Sequence, residues 1–407
     1  MKRRWLAVVL IVSLSACSHD KSPEAAPPPL AAAPASSASA STAPRSAPVS
    51  APISAPVTPS SAVPPDCVTA TLDGLDLPER VGQLLMVGVS VNAPSGIGDT
   101  LTRYRVGGFF LRGRSTHRAA ELKSDVAVLQ KRAAIPMLVA LDQEGGSVQT
   151  LKGPDFPRLP SAFRLGSGPA ATLRDTTRES AGRLARIGVN LNLAPVADTV
   201  PTSIGTKNPP IGAFHREFGS DPKRVATAIR LVVPASQDAG VLTVLKHFPG
   251  LGRVRVNTDT STGATDSTAT VNDPYLGPFV AGVEAGSASV MISSASYPKL
   301  DPHAIAAFSK PIITGLLRDK IGFRGLVISD DLGAARAVTG YSPARRAVGF
   351  VAAGGDLVLT IVPSDTAPMA GALIAKAEKD QSFRARVNDA ARHVLETKQK
   401  AGILRCG

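Results

Sequence analysis

Short apolar runs alternate with longer amphipathic stretches along most of this chain, and this alternation constrains the fold more than any other feature. Eight runs are rich in aliphatic and β-branched residues, as buried strands are. They are Leu84–Val89, Gly107–Leu111, Met137–Leu141, Leu191–Val196, Thr243–Phe248, Ser289–Ile292, Gly325–Ser329 and Leu357–Ile361. Alternating strands and helices imply a parallel sheet with right-handed crossovers. The prediction is an α/β fold, a single-domain (β/α)8 TIM barrel over residues 67–407.

Six stretches between and after these runs are predicted to be helices of the barrel. They are Ala119–Arg132, Ala171–Arg186, Lys223–Ala239, Pro311–Lys320, Pro343–Ala353 and Thr366–Lys398. A doubly wound open sheet is the alternative arrangement. It is disfavoured because no glycine-rich phosphate turn follows the first apolar run.

The N-terminal part of the chain is not predicted to belong to the barrel. Lys2–Arg4 are basic, the apolar run Leu6–Leu14 is too short to span a bilayer, and small residues precede Cys17. Residues 1–17 resemble a bacterial lipoprotein signal peptide with lipidation at Cys17, an ordinary secretory signal being the alternative. Residues 18–66 are mostly Ala, Pro and Ser, a composition that indicates a disordered linker. The predicted location is exported, with the lipid holding the protein at the outer face of the cell membrane, within the cell wall.

Two further cysteines, Cys67 and Cys406, stand at the ends of the predicted barrel. In an oxidising compartment we predict a disulfide between them, two free thiols being the alternative. The sequence contains no metal-ligand cluster or nucleotide-binding loop, so neither a metal nor a cofactor is expected. The net charge of +13 suits an anionic wall or membrane surface. A nucleic-acid partner is not expected, because basic and aromatic residues are not interleaved, and a monomer is expected.

Polar residues gather where the predicted strands end. The third run ends at Asp142, the fourth leads into Asp198, the fifth ends in Lys246 and His247, and the seventh leads into Asp330. A lone Asp after a strand is commonly the N-cap of the next helix. Four such ends together favour an active site, because barrel enzymes place their chemistry at the C-terminal ends of the strands.

Several segments of the chain resemble the signature segments of family 3 glycoside hydrolases. They are DQEGG from Asp142, NPPIG from Asn208, REFGSDP from Arg216, KHFPG from Lys246 and GFRGLVISDDL from Gly322. The resemblance runs from VGQLLMVGV to the last predicted helix with the elements in order. It is strongest to the single-domain β-N-acetylglucosaminidase branch, whose members act on peptidoglycan fragments.

This resemblance implies roles for five residues. Asp330 corresponds to the family nucleophile, a carboxylate that forms a covalent glycosyl-enzyme and gives net retention. Asp142 corresponds to an aspartate that accepts hydrogen bonds from sugar hydroxyls. Lys246 and His247 correspond to a sugar-binding pair, and Arg216 to an arginine of the same sugar site. For Lys246, a structural pairing with a barrel carboxylate is the alternative.

Other polar residues are expected to have structural roles. Asp331 is predicted either to cap the start of the helix that follows the seventh strand or to support the site residues from behind. His215, His303 and His393 are expected to be surface or capping residues.

The chain departs from the family pattern in the loop after the fifth strand. Family members end this loop with an Asp-x-His acid/base dyad, whereas here Asn257 and Asp259 occupy those positions. Leu251 replaces a histidine of the same loop, and Thr150 stands where an arginine would contact the substrate.

Asp259 is therefore the candidate acid/base, with Asp266 as the alternative. An aspartate carboxyl has an unperturbed pKa of about 3.9 and has to be raised by burial to act as an acid. Arg253 and Arg255 are close in sequence, and a neighbouring cation would lower the pKa of Asp259.

Two functions follow from these residues. The first is a retaining exo-acting glycoside hydrolase on β-linked N-acetylhexosamine or related cell-wall sugars, with a non-standard general acid. The alternative is a non-catalytic lipoprotein that binds cell-wall sugars in a degenerate glycosidase site. A phosphorylase is a third class, for which the sequence offers no support.

Overall fold

Eight parallel strands form one sheet in the computed structural model, which describes residues 66–405. They are β1 Leu85–Ser90, β2 Gly108–Arg112, β3 Leu138–Leu141, β4 Leu191–Asn192, β5 Leu242–Phe248, β6 Ser289–Ile292, β7 Leu326–Ser329 and β8 Val358–Thr360. The sheet order is β7-β6-β5-β4-β3-β2-β1-β8. A parallel bridge from Ile328 to Leu357 joins β7 to the start of β8 and closes the ring. The predicted (β/α)8 barrel is confirmed, and each strand overlaps one of the predicted apolar runs.

The strands separate two hydrophobic clusters, because successive side chains of a strand point to opposite faces. In β1, Met86 points into the barrel and joins an interior cluster with Phe110, Leu138 and Val244. Its neighbours Leu85 and Val87 point outward and join the larger cluster beneath the helices. Burial on both faces explains why the strands are continuous apolar runs rather than alternating patterns.

Helices cover the outside of the barrel. They are α1 Cys67–Asp73, α2 Leu77–Gln83, α3 Gly98–Tyr104, α4 Ala119–Lys131, α5 Ala162–Ser167, α6 Ala170–Arg186, α7 Pro222–Gln237, α8 Gly277–Glu284, α9 Pro343–Ala352, α10 Thr366–Lys379 and α11 Gln381–Lys400. A π-helix, Pro311–Lys320, occupies the position between β6 and β7. Helix α2 begins with a capping box in which Asp76 and Glu79 accept each other's backbone N–H.

The prediction of one continuous helix over Thr366–Lys398 is wrong, because the chain breaks at Asp380. The backbone of Asp380 is extended (φ −134°, ψ 103°), and its side chain caps α11 by accepting the Phe383 N–H at 3.0 Å. The same carboxylate accepts from Ser382 Oγ at 2.7 Å and pairs with Lys376 of α10. An aspartate can end one helix and start the next because its side chain replaces the missing backbone acceptors.

Some sequence predictions fall on residues that the structure does not describe. The signal peptide 1–17 with its lipidation site Cys17, the linker up to residue 65, and Cys406 lie outside the described residues. Cys67 is disulfide-bonded, and its pairing with Cys406 stays a prediction. Between residues 66 and 405, no helix combines the length and apolar character needed to cross a membrane.

The end of α11 closes the N-terminal end of the barrel and buries a lysine there. Val394 belongs to the interior cluster, and Lys398, one turn further on, is fully buried. The Lys398 amine donates to Gln83 Oε1, and the Gln83 amide donates to the Arg105 carbonyl at 2.7 Å. Burial lowers the pKa of Lys398 to about 7.

We expect Lys398→Met to stabilise the protein. The unfolded chain binds more protons than the folded one between pH 7 and the ordinary lysine pKa of about 10.4, so the stability of the unsubstituted protein rises over that range. Removing the amine should add roughly 2 kcal/mol to the free energy of unfolding at pH 7 or below, and less at pH 10. Denaturant unfolding at both pH values tests this, with exposed Lys379→Met as the control. A gain independent of pH would contradict the expectation.

Candidate active site

A short hairpin after β3 carries Glu144 into the mouth of the barrel. Its strands are Gln143–Gly145 and Val148–Gln149. Gly145 has φ +97°, and a Cβ there would lie 2.4 Å from the Pro160 carbonyl oxygen, so this turn requires glycine. The hairpin is therefore a rigid element.

Glu144 is the centre of an ion network that supports the floor of the site, where Asp142, Arg216 and Lys246 line the cavity. Its side chain is only 4% exposed and accepts two bonds from the Arg216 guanidinium, at 2.9 and 2.7 Å. Lys246 Nζ lies 2.7 Å from both Glu144 Oε1 and Asp142 Oδ1. Burial would raise the pKa of Glu144, but Arg216 and Lys246 outweigh it and hold that pKa well below its ordinary value.

The two cations of the floor remain charged although they are buried. Burial would lower the pKa of Lys246, but Asp142 and Glu144 outweigh it and raise that pKa. Arg216 is held in the same way by Glu144, and its guanidinium also donates to the Pro210 carbonyl at 2.8 Å. Both cations therefore stay protonated.

His247 is oriented by the fully buried Asp198, which follows β4. The two side chains meet at 2.7 Å through His247 Nδ1. Asp198 also accepts the backbone N–H groups of His247 and Leu251. The other ring nitrogen, Nε2, faces the Arg216 guanidinium at 3.5 Å.

Asp330 lies directly after β7, where its backbone N–H donates to Ile292 of β6 at 3.1 Å. Its Oδ1 accepts the Asp331 N–H. The side chain of Asp331 accepts backbone N–H groups from Gly333 and Ala334. The first helical turn after β7 begins only at Arg336, so Asp331 caps a bend rather than the start of a helix. Asp330 thus stands at the end of a rigid strand with its other oxygen available.

Asp259 lies beside Asp330 because the two loops that carry them are joined through their backbones. The carbonyls of Thr258 and Asp259 accept N–H bonds from Ala337 and Arg336, at 3.0 and 3.1 Å. Asn257 Oδ1 accepts the Asp259 N–H at 2.9 Å.

The pKa of Asp259 is raised to about 6 by burial and by the Asp330 carboxylate, with His247 and Arg216 opposing. The residue keeps an exposed surface because it stands at the open mouth of the site. Water screens part of this effect where the residue is exposed, and a bound sugar would displace that water.

The neighbouring charges in the loop are arranged differently from what the sequence suggested. Arg253 pairs with Asp266 and Asp273 rather than with Asp259, and Arg255 is exposed. Asp266 is 3% exposed and also caps Thr268 and Ala269. These bonds disfavour Asp266 as the alternative acid, because its oxygens are engaged and it does not line the cavity with Asp330.

One cavity of about 420 Å³ brings all six predicted site residues together: Asp142, Arg216, Lys246, His247, Asp259 and Asp330. Its other walls include Phe110, Leu251, Met291 and Leu359. The volume is in the range of small-molecule pockets. The polar floor and the two carboxyls at the mouth suit a terminal sugar whose glycosidic bond points outward.

Glu144 and Asp198 were not assigned site roles from the sequence. Glu144 had a signal, since it belongs to the DQEGG segment, but its partner Arg216 is 72 positions away. Asp198 was noted only as a strand end. His215 and His303 are exposed as expected, whereas His393 is not a simple surface residue, since its Nδ1 lies 3.0 Å from the buried Asp356.

No group of three or more His, Cys, Asp or Glu side chains among residues 66–405 is arranged to hold a metal ion.

Comparisons with known proteins agree with the barrel fold. The model of the glycosyl hydrolase family 3 N terminal domain matches residues 76–397. A β-hexosaminidase from Xanthomonas oryzae pv. oryzae is 34% identical over 273 residues, which are 65% of this chain and 79% of that protein. A crystal structure of a β-N-acetylhexosaminidase from Beutenbergia cavernae has 46% identity and a TM-score of 0.77, covering 80% of this chain and 99% of that one. A family 3 β-N-acetylglucosaminidase from a Paenibacillus species has 28% identity and a TM-score of 0.74, covering 82% and 64%.

We expect Glu144→Gln to destabilise the protein, because it leaves two buried cations with less compensation. The expected loss is roughly 3 kcal/mol at neutral pH, as for other buried ion pairs that lose one partner. Since the folded-state pKa of Glu144 is lowered, its contribution is complete above the ordinary glutamate pKa of about 4.3 and is lost as the pH falls further.

Denaturant unfolding from pH 7 down to pH 3 measures this difference. The exposed Glu378→Gln is the control and should change stability little at any pH. A Glu144→Gln protein as stable as this control at pH 7 would refute the proposed importance of the network.

Proposed function

This chain belongs to glycosyl hydrolase family 3, and we propose that it is a retaining, exo-acting β-N-acetylhexosaminidase with Asp330 as nucleophile and Asp259 as general acid/base. The single observation that carries the proposal is the cavity that both carboxyls share with Arg216 and Lys246, the two cations that Glu144 pairs with. A glycosidase needs one ionised and one protonated carboxyl on either side of the scissile bond.

The substrate class is inferred from the relatives and from the shape of the site. Similar proteins are named β-hexosaminidase and β-N-acetylglucosaminidase, so we propose β-linked N-acetylhexosamine or a related cell-wall sugar. The charged floor offers acceptors in Asp142 and donors in Lys246 and Arg216 for the hydroxyls of one terminal ring. A closed floor favours removal of one sugar at a time from a chain end.

The reaction proceeds in two displacements. Asp330 attacks the anomeric carbon while the glycosidic C–O bond breaks, and Asp259 gives its proton to the leaving oxygen. In the second step the Asp259 carboxylate takes a proton from water, the water oxygen attacks the anomeric carbon, and Asp330 leaves. The net change is glycoside plus water to free sugar plus alcohol, with the β configuration retained.

Asp259 can replace the family histidine because its surroundings raise its pKa. A value of about 6 is close to that of an unperturbed imidazole, about 6.5. Once Asp330 is bonded to the sugar, its negative charge is gone and the pKa of Asp259 falls. The same residue then becomes the carboxylate base that the second step needs.

The location is also a proposal. An exported protein with lipid on Cys17 and a linker to residue 66 would place the barrel near cell-wall sugars. A disulfide between Cys67 and Cys406 would suit that oxidising compartment.

We expect Asp330→Ala to lose about 10³-fold or more of kcat on phenyl β-N-acetylglucosaminide, because the covalent step has no nucleophile. The exposed Asp319→Ala should keep full activity. Proton NMR of the first product formed by the unsubstituted protein should show the β anomer. Calorimetric binding of N-acetylglucosamine without any hydrolysis by that protein would instead identify the non-catalytic sugar-binding alternative.

We expect kcat/KM to fall about tenfold per pH unit above roughly pH 6, because only protonated Asp259 can donate to the leaving oxygen. Asp259→Asn should remove this alkaline limb and lower the rate on phenyl glycosides by about 10²–10⁴-fold. A pH–rate series on both proteins measures it. An alkaline limb that persists in Asp259→Asn would assign the proton to another group.

A further inference from the structure

The segment that carries Asp259 has little regular structure of its own. Between the end of β5 at Phe248 and the start of α8 at Gly277, the one helical element is the short turn Pro274–Leu276. A segment of this length has many accessible conformations, and ordering it costs entropy. Specific contacts therefore have to hold Asp259 beside Asp330.

Arg253 makes the strongest of these contacts. Its guanidinium lies 2.7 Å from Asp266 Oδ2 and also bonds Asp273 Oδ2, while its Cζ lies 4.3 Å from the centre of the Tyr275 ring. The Asp266 and Asp273 side chains are only 2% and 6% exposed. We call Arg253, Asp266, Asp273 and Tyr275 the loop clamp.

The loop clamp brackets Asp259 in the sequence. Arg253 stands before it, and Asp266 and Asp273 stand after it, so the ion pairs close the part of the loop that contains the acid. Closing a short segment removes most of its alternative conformations. The far side of the bracketed segment is held by the backbone bonds from Thr258 and Asp259 to Ala337 and Arg336.

The start of the loop is fixed independently of the clamp. The buried Asn208 amide donates to the carbonyls of Leu251 and Val254, at 2.8 and 2.9 Å. Arg253 lies between these two residues, so its side chain starts from a rigid backbone. The ion pairs of Arg253 therefore fix Asp266 and Asp273 relative to this rigid backbone.

We propose that Arg253 is a positioning residue that holds Asp259 at the glycosidic oxygen by clamping its loop to Asp266 and Asp273. This inference rests on the proposed role of Asp259 as general acid. Arg253 contacts neither the cavity floor nor Asp330 in these bonds, so its effect is on proton donation rather than on sugar binding. An arginine suits the task because one planar guanidinium reaches two carboxylates and stacks on a ring, which a lysine cannot do.

The test compares two substrates with the same sugar and different leaving groups. Phenolate is a strong base that needs a proton as it leaves, whereas 2,4-dinitrophenolate leaves without one. The second step, in which Asp259 acts as base, is the same for both substrates, but kcat/KM reports only the first step. Misplacing the acid should therefore lower kcat/KM for the phenyl glycoside alone. We expect Arg253→Met to lower kcat/KM on phenyl β-N-acetylglucosaminide by about 10–100-fold and on the dinitrophenyl glycoside by less than about threefold.

Three matched variants complete the test. Arg255→Met removes an exposed arginine from the same loop and should change both rates by less than about twofold. Arg253→Lys should recover part of the loss, because it keeps one ion pair. Asp273→Asn breaks one arm of the clamp while Arg253 keeps Asp266, and it should give a smaller loss of the same selective kind. It serves in place of Arg253→Met if the latter does not fold.

The outcomes separate this inference from the proposed function. Calorimetric binding of N-acetylglucosamine should be unchanged in Arg253→Met. Equal losses on both substrates, or rates equal to those of Arg255→Met, would overturn the clamp while a selective loss in Asp259→Asn keeps the acid assignment. If Asp259→Asn itself shows no selective loss on the phenyl glycoside, the proposed function fails and the clamp fails with it.

Discussion

The bonds from Glu144 to Arg216 and Lys246 are the interaction on which the site depends. Burying Arg216 and Lys246 would be costly without a compensating negative charge. The Glu144 carboxylate lies 2.7 Å from each of them and stabilises both. Asp142 places a second carboxylate beside Lys246. The result is a floor of fixed charges supplied by the ends of β3, β4 and β5, which is organised before any sugar enters.

This floor also influences the chemistry above it. Arg216 and His247 lower the pKa of Asp259, and Asp330 and burial raise it. Had Arg216 been without Glu144, its full charge would act on Asp259 through the same cavity. Because Glu144 compensates the charge of Arg216, Arg216 lowers the pKa of Asp259 less than it otherwise would, and Asp259 can hold a proton. Asp266 and Asp273 do the same for Arg253, one of the two arginines that precede Asp259 in this loop.

The barrel was predictable from sequence because its strands are buried on both faces, which makes them continuous apolar runs such as Leu326–Ser329. The polar strand ends were predictable for the same reason, since Lys246 and His247 interrupt a run that should stay apolar. Glu144 was not found because a glutamate in a glycine turn looks like any loop residue until a distant arginine is placed beside it. The break at Asp380 was missed because no proline or glycine marks it.

Asp259 and Asp330, the proposed acid and nucleophile, lie on loops that are joined by backbone rather than by side chains, and this explains how the residue in the position of the acid can change. Thr258 and Asp259 bond to Ala337 and Arg336 through carbonyl and N–H groups that every non-proline residue supplies. The position beside Asp330 is therefore set by the path of two loops, whichever side chain stands at 259. A carboxyl placed there is partly buried beside Asp330, and both influences raise its pKa toward that of an imidazole. Exchange of histidine for aspartate then requires no new element, only a loop held rigid enough to keep the two carboxyls adjacent.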